Sequence, residues 1–310
     1  MTPAAPVEEA PSSKAAEVAA LVQLACLTEA TVGKPGNVSP SAGFADVGYQ
    51  DFVLSALAVG PAFMLSGSHP LGEVVLRAVR DTRAAVHTNT NLGLVLLLAP
   101  LAMAATREGR SLREGRSLRK ALSEVLSGLT VDDARLVYEA IRTAQAGGLG
   151  AVTNHDVGES QPKVDLAAAM RLAAGRDSIA REYSTDFELT FELVAPVLRN
   201  LWAQTLSPAV VVAQAFLTVL AKEPDTLIAR KRGRAAAEAV SAEAKSVLDL
   251  GGYLSGRGKE AAARFDRRLR SEGNALNPGT TADLLGAGLF VVFREDAGYA
   301  AAVRREILSG

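Results

Sequence analysis

The sequence predicts an all-α protein, folded as a compact, bundle-like single domain of many helices. Ala, Leu, Glu and Arg are strong helix formers, and Ala and Leu recur along the whole chain. Apolar residues return at intervals of three and four, which is the spacing of one helix face. No stretch shows the apolar–polar alternation of a half-buried strand, and none combines a strand, a glycine-rich loop and a helix.

The length and composition fit one helical domain with a sizeable core. The chain has 310 residues, of which 48% are hydrophobic and 22% are charged, as in ordinary globular proteins. Its start, MTPAAPVEEAPSS, has neither a basic n-region nor an apolar h-region. We therefore expect a disordered tail over residues 1–13 instead of a signal peptide, and a helical domain over residues 14–310.

The charge balance and the cysteine content exclude several classes of protein. The net charge is −1, so no global field favours nucleic acid or an anionic membrane as a partner. Cys26 is the only cysteine, which excludes an internal disulfide and a thiolate zinc cluster. We expect it to be a buried thiol, and the lack of disulfides suits a reducing cytoplasm. The most apolar run, LGLVLLLAPLAMAA, is too short to span a bilayer and contains Pro100, so we expect a buried helix.

The first helix is predicted to begin near Ser13 and to fail at Gly33, where Pro35 confirms the stop. A loop rich in Gly, Pro and Ser follows. Three further helices are expected in QDFVLSALAVGPAFML, PLGEVVLRAVRDTRAAVH and NLGLVLLLAPLAMAATREG.

The middle of the chain contains a tandem duplication, REGRSLREGRSL at 107–118, which we expect to be a surface loop. The next helix has clear ends, with Thr130 as N-cap, Asp133 three residues on, and Gly147-Gly148 as its stop. A loop over 149–164 contains His155-Asp156, adjacent residues whose side chains diverge too far for a catalytic dyad.

The rest of the chain is predicted to be helical. SPAVVVAQAFLTVLAKE contains a β-branched run and could form a strand, but its length and spacing favour a helix. The other predicted helices lie in DLAAAMRLAAG, RDSIAREYSTDFELTFELVAPVLRNLW, DTLIARKRGRAAAEAVSAEAKSVLDLGG, GKEAAARFDRRLRSEG and TADLLGAGLFVVFRE.

The first of four polar breaks between helices places a carboxylate close to an ammonium. Glu29 lies in the last turn of its helix, where the helix dipole disfavours a negative charge. Lys34 begins what we expect to be a tight, exposed turn that ends at Asn37. A charge placed against its local preference hints at function. From the spacing alone, a solvated helix end with a turn lysine is the preferred interpretation.

The second break carries four small polar residues, Thr88, Asn89, Thr90 and Asn91, directly before the apolar helix. One of them would suffice as N-cap. The free N–H groups of a helix N-terminus form a ready anion site, whereas redundant capping is the alternative interpretation. His87 just before them could act as a base, although a surface histidine is preferred.

The third and fourth breaks have both structural and functional interpretations. Arg230 and Lys231 belong to a basic cluster in the last turn of a helix, which suits the dipole without a ligand but could also neutralise a polyphosphate. In NALNPGTTADLL, Thr280 and Asp283 are spaced as a capping box. A phosphate-facing helix N-terminus is the functional alternative there.

The order and spacing of these segments resemble the triphosphoribosyl-dephospho-CoA synthase family, from about Ala16 to Phe293. The matching segments are EATVGKPGNVSP, GFADVGYQDFVLSA, TNTNLG, DTLIARKRG and NPGTTADLLGAGLF. The family hallmark is Glu–x–Thr–x–x–Lys–Pro–Gly, represented here by Glu29, Thr31, Lys34, Pro35 and Gly36. Two further motifs match at Asn89-Thr90 and at Gly279 with Ala282-Asp283-Leu284.

The resemblance implies an all-helical transferase that uses ATP as ribosyl donor. In the family, the ribose 2′-hydroxyl of 3′-dephospho-CoA attacks the ribose C1 of ATP and adenine leaves. The product is the precursor of a prosthetic group. The implied partners are ATP, Mg²⁺ and dephospho-CoA or a related phosphorylated precursor, and a homo-oligomer is compatible with it.

The resemblance also implies roles for individual residues. Glu29 and Lys34 would be catalytic, Glu29 as the key carboxylate and Lys34 as a phosphate contact. Asp46 would hold Mg²⁺ through water, while Asp51 is equally well explained as a helix cap. The expected substrate- and phosphate-binding residues are Asn37, Thr88, Asn89, Thr90, Asn91, Arg230, Lys231, Thr280, Thr281 and Asp283.

The chain departs from the family in one motif. The family's central motif reads Asn-Thr-His-Lys-Gly, where this chain has Asn-Thr-Asn-Leu-Gly at 89–93. The histidine often seen just before the Asp46 segment is absent too. The departures leave three alternatives open: a non-catalytic ATP- or cofactor-binding protein, a divergent enzyme acting on another precursor, such as one of one-carbon (pterin) cofactor synthesis, and a structural partner protein.

Overall fold

A computed structural model describes residues 12–107, 115–145, 162–204 and 207–307, and every regular element in these ranges is a helix. The all-α prediction is therefore confirmed for this part of the chain. Ser12 caps the first helix through its side chain, so the helix begins within the stretch predicted as a tail. Residues 1–11 of that predicted tail lie outside the described residues.

Seven helices lie in the described residues of the first half of the chain, and most begin near the predicted positions. They are α1 (Ser13–Thr31), α2 (Tyr49–Ala58), α3 (Gly60–Phe63), α4 (Leu71–Ala85), α5 (Leu92–Arg107), α6 (Gly115–Ser127) and α7 (Val131–Ala144).

The second half adds nine α-helices, a short π-helix (Leu189–Val194) and a 3₁₀ turn (Gly252–Leu254) in the described ranges. The α-helices are α8 (Leu166–Ala173), α9 (Ser178–Ser184), α10 (Ala195–Trp202), α11 (Pro208–Lys222), α12 (Thr226–Arg232), α13 (Arg234–Asp249), α14 (Gly256–Arg270), α15 (Gly279–Glu295) and α16 (Ala297–Ile307). The β-branched run at the start of α11 is helical, so the strand alternative is excluded.

The centre of the molecule is formed by α1, α5 and α15, which pack against one another. Helices α5 and α15 are apolar around almost their whole circumference and are buried accordingly. Pro100 lies inside α5, which is the buried helix that its sequence predicts. Within the described residues, no helix combines the length and the apolar character needed to cross a membrane.

Two local predictions change in the structure. The repeat at 107–118 was expected to be a loop, but α5 runs through Arg107 and α6 already begins at Gly115; residues 108–114 lie outside the described part. Helix α7 ends at Ala144 and is followed by Gln145 in the left-handed conformation, with φ 51°, so it stops before the predicted Gly147-Gly148. The capping box of Thr130 and Asp133 is confirmed.

The turn after α1 is buried, although its sequence predicts an exposed turn. Gly36 adopts φ 75°, and its N–H donates to Oδ1 of Asp266 on α14 at 2.8 Å. A Cβ on Gly36 would lie 2.9 Å from both Leu269 and Pro278, so this position has room only for glycine. The turn is therefore fixed by the C-terminal third of the chain, which the local sequence does not reveal.

One buried carboxylate joins α12 to α15. Oδ1 of Asp225 accepts from the N–H groups of Leu227 and Ile228 at 2.9 and 3.0 Å, which caps α12. Its Oδ2 accepts from both N and Oγ1 of Thr281 in the first turn of α15, at 2.7 and 2.8 Å. Asp225 thus satisfies the N-terminal donors of two helices at once.

Candidate active site

The helix ends meet at a cavity of about 860 Å³, which is within the range of roughly 300–1,000 Å³ that is typical of small-molecule sites. The C-terminal ends of α1 and α12 and the N-terminal ends of α5, α9 and α15 form its walls, together with one side of α2, α7 and α8. All predicted site residues except Lys34 and Thr281 line it: Glu29, Asn37, Asp46, Thr88, Asn89, Thr90, Asn91, Arg230, Lys231, Thr280 and Asp283.

Glu29 reaches the cavity from the last turn of α1 and forms an ion pair with Lys34 behind it. Nζ of Lys34 lies 3.1 Å from Oε1 of Glu29, and the Lys34 side chain is fully buried. The same ammonium donates to the carbonyl of Val32 at 3.0 Å and to the backbone carbonyl of Glu29. The structure therefore does not place Lys34 where it was predicted, as a phosphate contact, because its donors are directed at the end of α1.

The Glu29 carboxylate remains available to a ligand. Oε1 of the carboxylate lies 3.1 Å from Nζ of Lys34, whereas no hydrogen bond to Oε2 is found among the described residues. A buried ion pair with little further solvation is costly to assemble, so its position at a cavity wall is more easily explained by function than by stability.

Asp283 does not cap α15, and the predicted capping box of Thr280 and Asp283 is wrong. Asp225 supplies the cap through Thr281, and Thr280 lies inside the helix, where its hydroxyl accepts from Thr226 Oγ1 at 3.3 Å. Asp283 instead lines the cavity beside the first turn of α5. A Cβ on Gly93 would lie 2.1 Å from Oδ2 of Asp283, so the missing side chain at Gly93 makes room for this carboxyl group.

The surroundings of Asp283 favour its protonated form. Burial, followed by the nearby carboxylates of Glu29 and Asp225, raises the pKa of Asp283 well above its usual value, and Arg230 offsets this only in part. No hydrogen bond or ion pair of its carboxyl group is found in the described part of the chain. Glu29 and Asp283 thus lie in different environments, the first with a lysine partner and the second without one.

Arg230 and Lys231 bring positive charge to the same wall from the last turn of α12. Arg230 forms an ion pair with Asp177, whose other carboxylate oxygen caps α9 by accepting from Ile179 N at 2.9 Å. Nε of Arg230 is buried and has no hydrogen-bond partner in the described structure. Lys231 donates to the carbonyl of Asn274 at 3.0 Å.

Asp46 lies at the rim of the cavity, near Lys231. Burial lowers the pKa of Lys231, while Asp225 and Asp46 raise it, so the Asp46 carboxylate is close enough to act on this ammonium. Asp46 itself is exposed. Asp51, the other nearby carboxylate, caps α2 by accepting from Gly48 N at 2.8 Å, so the helix-cap interpretation is confirmed.

The polar segment before α5 lines the cavity, but most of its side chains also have structural partners. Asn89 Oδ1 accepts from Leu92 N at 3.2 Å, which makes it the cap of α5. Thr90 shares a 2.6 Å hydrogen bond with Ser55, and Asn91 donates to Thr82 at 3.3 Å. Redundant capping therefore explains part of this motif, and the N-terminus of α5 still opens onto the cavity.

Two groups of lining residues were missed by the sequence analysis. Asn274 and Asn277 contribute amides from the loop before α15, and Asn277 Nδ2 donates to the carbonyl of Gly36 at 2.7 Å. An apolar wall is formed by two amphipathic helices, α7 and α8, whose pattern gave no sign that they face a cavity instead of the core. It comprises Val137, Ile141, Leu166, Ala169, Met170, Leu172 and Ala173.

The cavity walls carry the carboxylates of Glu29, Asp46, Asp177 and Asp283. In the described ranges, however, no three His, Cys, Asp or Glu side chains are grouped so as to hold a metal ion by themselves. Magnesium is commonly held by one or two carboxylates together with water and substrate phosphates. The residues present fit an ion shared with a phosphorylated ligand better than a resident, protein-bound metal.

Comparisons with known proteins agree with this arrangement. The family model for ATP:dephospho-CoA triphosphoribosyl transferase matches residues 15–301. A crystal structure from Archaeoglobus fulgidus, of a protein provisionally named triphosphoribosyl-dephospho-CoA synthase, is similar with a TM-score of 0.59 and 26% sequence identity. That similarity covers 78% of this chain and 97% of the other. Curated proteins give no match.

Proposed function

Because this chain belongs to the ATP:dephospho-CoA triphosphoribosyl transferase family, we propose that its 860 Å³ cavity is the active site in which the triphosphoribosyl group of ATP is transferred to dephospho-CoA. The assignment rests on one observation, which is that the four polar segments between helices come together at this cavity. Glu29, Asn89, Arg230 and Asp283, which are far apart in sequence, line one cavity. The chain is therefore a transferase whose site is built from helix ends.

Glu29 is proposed to act on the anomeric carbon of the ATP ribose. In the transfer, the acceptor hydroxyl oxygen forms a bond to C1 of the ATP ribose, and the bond from C1 to N9 of adenine breaks. The transition state resembles an oxocarbenium ion, which a nearby carboxylate stabilises. The same carboxylate accepts the proton that the hydroxyl loses. Glu29 suits these roles because its Oε2, unlike the Oε1 that is ion-paired with Lys34, accepts no hydrogen bond from the described residues.

The triphosphate of ATP is proposed to lie between α12 and the N-terminus of α5. Arg230 and Lys231 line this part of the cavity and supply positive charge that can pair with phosphate oxygens. The polar segment from Thr88 to Asn91 and the first N–H groups of α5 face the same space. Asp46 at the rim would hold Mg²⁺ through water, and the ion would neutralise part of the phosphate charge.

The apolar wall of α7 and α8 is proposed to take the pantetheine arm of dephospho-CoA. A charged triphosphate does not bind favourably to an apolar surface, whereas the pantetheine arm is a long and weakly polar chain. Ala169 and Met170 on α8 and Val137 on α7 line this part of the cavity. The arrangement leaves the polar half to the reacting groups and the phosphates.

The proposal is tested by incubating the protein with ATP, Mg²⁺ and dephospho-CoA, and by measuring free adenine and the mass of the new nucleotide. One equivalent of adenine should appear for each acceptor that gains a triphosphoribosyl group. Coenzyme A is the control acceptor, because its 3′-phosphate crowds the attacking hydroxyl. Heat stabilisation by ATP without release of adenine would instead support a non-catalytic binding protein.

A further inference from the structure

We propose that Asp283 is the general acid that protonates adenine as it leaves. This inference rests on the proposed function and adds to it, because the sequence analysis expected Asp283 to bind phosphate. In this assignment, Asp283 acts on the leaving adenine and Glu29 acts on the ribose.

The reaction needs a proton donor on the leaving-group side. When the C1–N9 bond breaks, its electron pair stays on adenine, and a proton delivered to a ring nitrogen prevents the build-up of negative charge. General acid catalysis of this kind is typically worth about 10²–10⁴-fold in rate. Glu29 does not suit the donor role, because it is ion-paired with Lys34 at 3.1 Å.

The position of Asp283 meets the geometric requirement. Its carboxyl group lies on the cavity wall, beside the backbone of Gly93 and on the same cavity as Glu29. Unlike Asp225 and Asp177, which cap helices, Asp283 has no hydrogen-bond or ion-pair partner among the described residues. A carboxyl group without a structural task is open to a base placed in the cavity.

The charges around Asp283 make it a proton donor and a poor phosphate ligand. The groups that face it are Glu29 of α1, Asp225 and Arg230 beside and on α12, and Asp177 before α9. Burial and the three carboxylates raise its pKa well above the usual value, and Arg230 lowers it. Glu29 and Asp283 also differ in their contacts, because Glu29 is ion-paired with Lys34 at 3.1 Å and Asp283 has no such partner among the described residues. A triphosphate placed against Asp283 would instead be repelled by the neighbouring carboxylates.

The step balances without any further reactant. Glu29 receives the proton of the acceptor hydroxyl, Asp283 gives its proton to adenine, and the C1–O bond replaces the C1–N9 bond. Both carboxyl groups return to their starting states by exchange with solvent after the products leave.

The experiment compares ATP with N7-methylated ATP, whose base already carries a positive charge and leaves without protonation. Asp283→Asn should lower kcat with ATP by about 10²–10⁴-fold and with the methylated substrate by less than tenfold. Glu29→Gln should lower kcat with both substrates. Equal losses of Asp283→Asn on the two substrates, or no loss with ATP, would overturn the assignment.

The wild-type protein provides a second readout that does not depend on the folding of a variant. With ATP, kcat should fall as the pH rises through the pKa of Asp283, and with N7-methylated ATP this basic limb should be absent. A fall of kcat at the same high pH with both substrates would contradict the proposal. If the wild-type protein releases no adenine with dephospho-CoA, the proposed function fails. If the wild-type protein releases adenine and the Asp283→Asn variant releases it at the same rate, only the assignment of Asp283 fails.

Discussion

Lys34 does not face the cavity; its ammonium lies 3.1 Å from Oε1 of Glu29, with the side chains 0% and 9% exposed. The hallmark turn that contains Lys34 therefore acts on the end of α1. It fixes the carboxylate at the cavity wall from behind, while Arg230 and Lys231 of α12 are among the cations that line the cavity. The following predictions separate these two groups of positive charge.

Replacing Glu29 by Gln should lower the rate of adenine release by at least about 10²-fold, since an amide neither stabilises an oxocarbenium ion nor accepts the hydroxyl proton. ATP affinity should change by less than about fivefold, because the phosphates are bound elsewhere. Adenine release and calorimetric ATP titration measure the two quantities. Glu17→Gln, an exposed change on the same helix, is the control and should retain full activity.

Replacing Lys34 by Met should destabilise the fold by about 3–5 kcal/mol, because it leaves the buried Glu29 carboxylate without its partner. Urea unfolding measures the change. Lys245→Met, which breaks an exposed pair with Asp249, should cost at most about 1 kcal/mol. The KM for ATP of the folded Lys34 variant should stay within about threefold of wild type. A much larger rise in the KM for ATP would instead support the prediction that Lys34 contacts phosphate.

Replacing Arg230 or Lys231 by Gln should raise the KM for ATP by about tenfold or more, because each removes a charge-assisted contact worth roughly 1.5–3 kcal/mol. Steady-state kinetics at fixed dephospho-CoA measure the effect. The matched control is Arg234→Gln, at the start of α13, whose side chain is 89% exposed. If all three variants behave alike, the basic cluster is only a solvated surface.

Replacing Ala169 by Phe should raise the KM for dephospho-CoA while leaving that for ATP nearly unchanged, because the larger ring fills the apolar wall of the cavity. We expect a change of about tenfold, equivalent to about 1.4 kcal/mol. Ala167→Phe on the same helix does not reach the cavity and serves as the control. An increase in both KM values would place ATP, and not the acceptor arm, against α8.

Replacing Asp283 by Asn should stabilise the protein at neutral pH. The folded state raises the pKa of this carboxyl group, so the wild-type protein loses stability as the pH rises from the ordinary Asp value towards the raised one. The variant lacks this loss. The melting temperature of the variant should therefore rise relative to that of the wild type between pH 5 and pH 8. The difference should be about 2 °C for each 1 kcal/mol of unfolding free energy that the wild type loses. Asp249→Asn, an exposed change, should give a difference that does not vary with pH.

Sequence reasoning was successful where the determinants are local. The apolar spacing of α5 and α15 and the capping box of Thr130 and Asp133 lie within one element, so periodicity and cap chemistry suffice to predict them. The ordered motifs also identified part of the cavity lining, including Glu29 and Asp283, because these residues stand at helix ends.

The failures share a physical cause, which is control by distant parts of the chain. The turn at Lys34 looked exposed because nothing nearby shows that Asp266, on α14, accepts from Gly36. Thr280 looked like a cap because the actual cap, Asp225, belongs to another helix. The apolar wall was missed because an amphipathic helix gives the same pattern whether it faces a core or an apolar cavity.

Asp225 has a consequence for how this site can open. Its two oxygens hold Leu227 and Ile228 of α12 and Thr281 of α15 through four hydrogen bonds, so any rotation between these helices would break contacts that water cannot easily replace. The helices that carry Arg230 and Asp283 should therefore move as one rigid body. Opening of the cavity to admit two large nucleotides is then left to its other walls, which include α2 and α8.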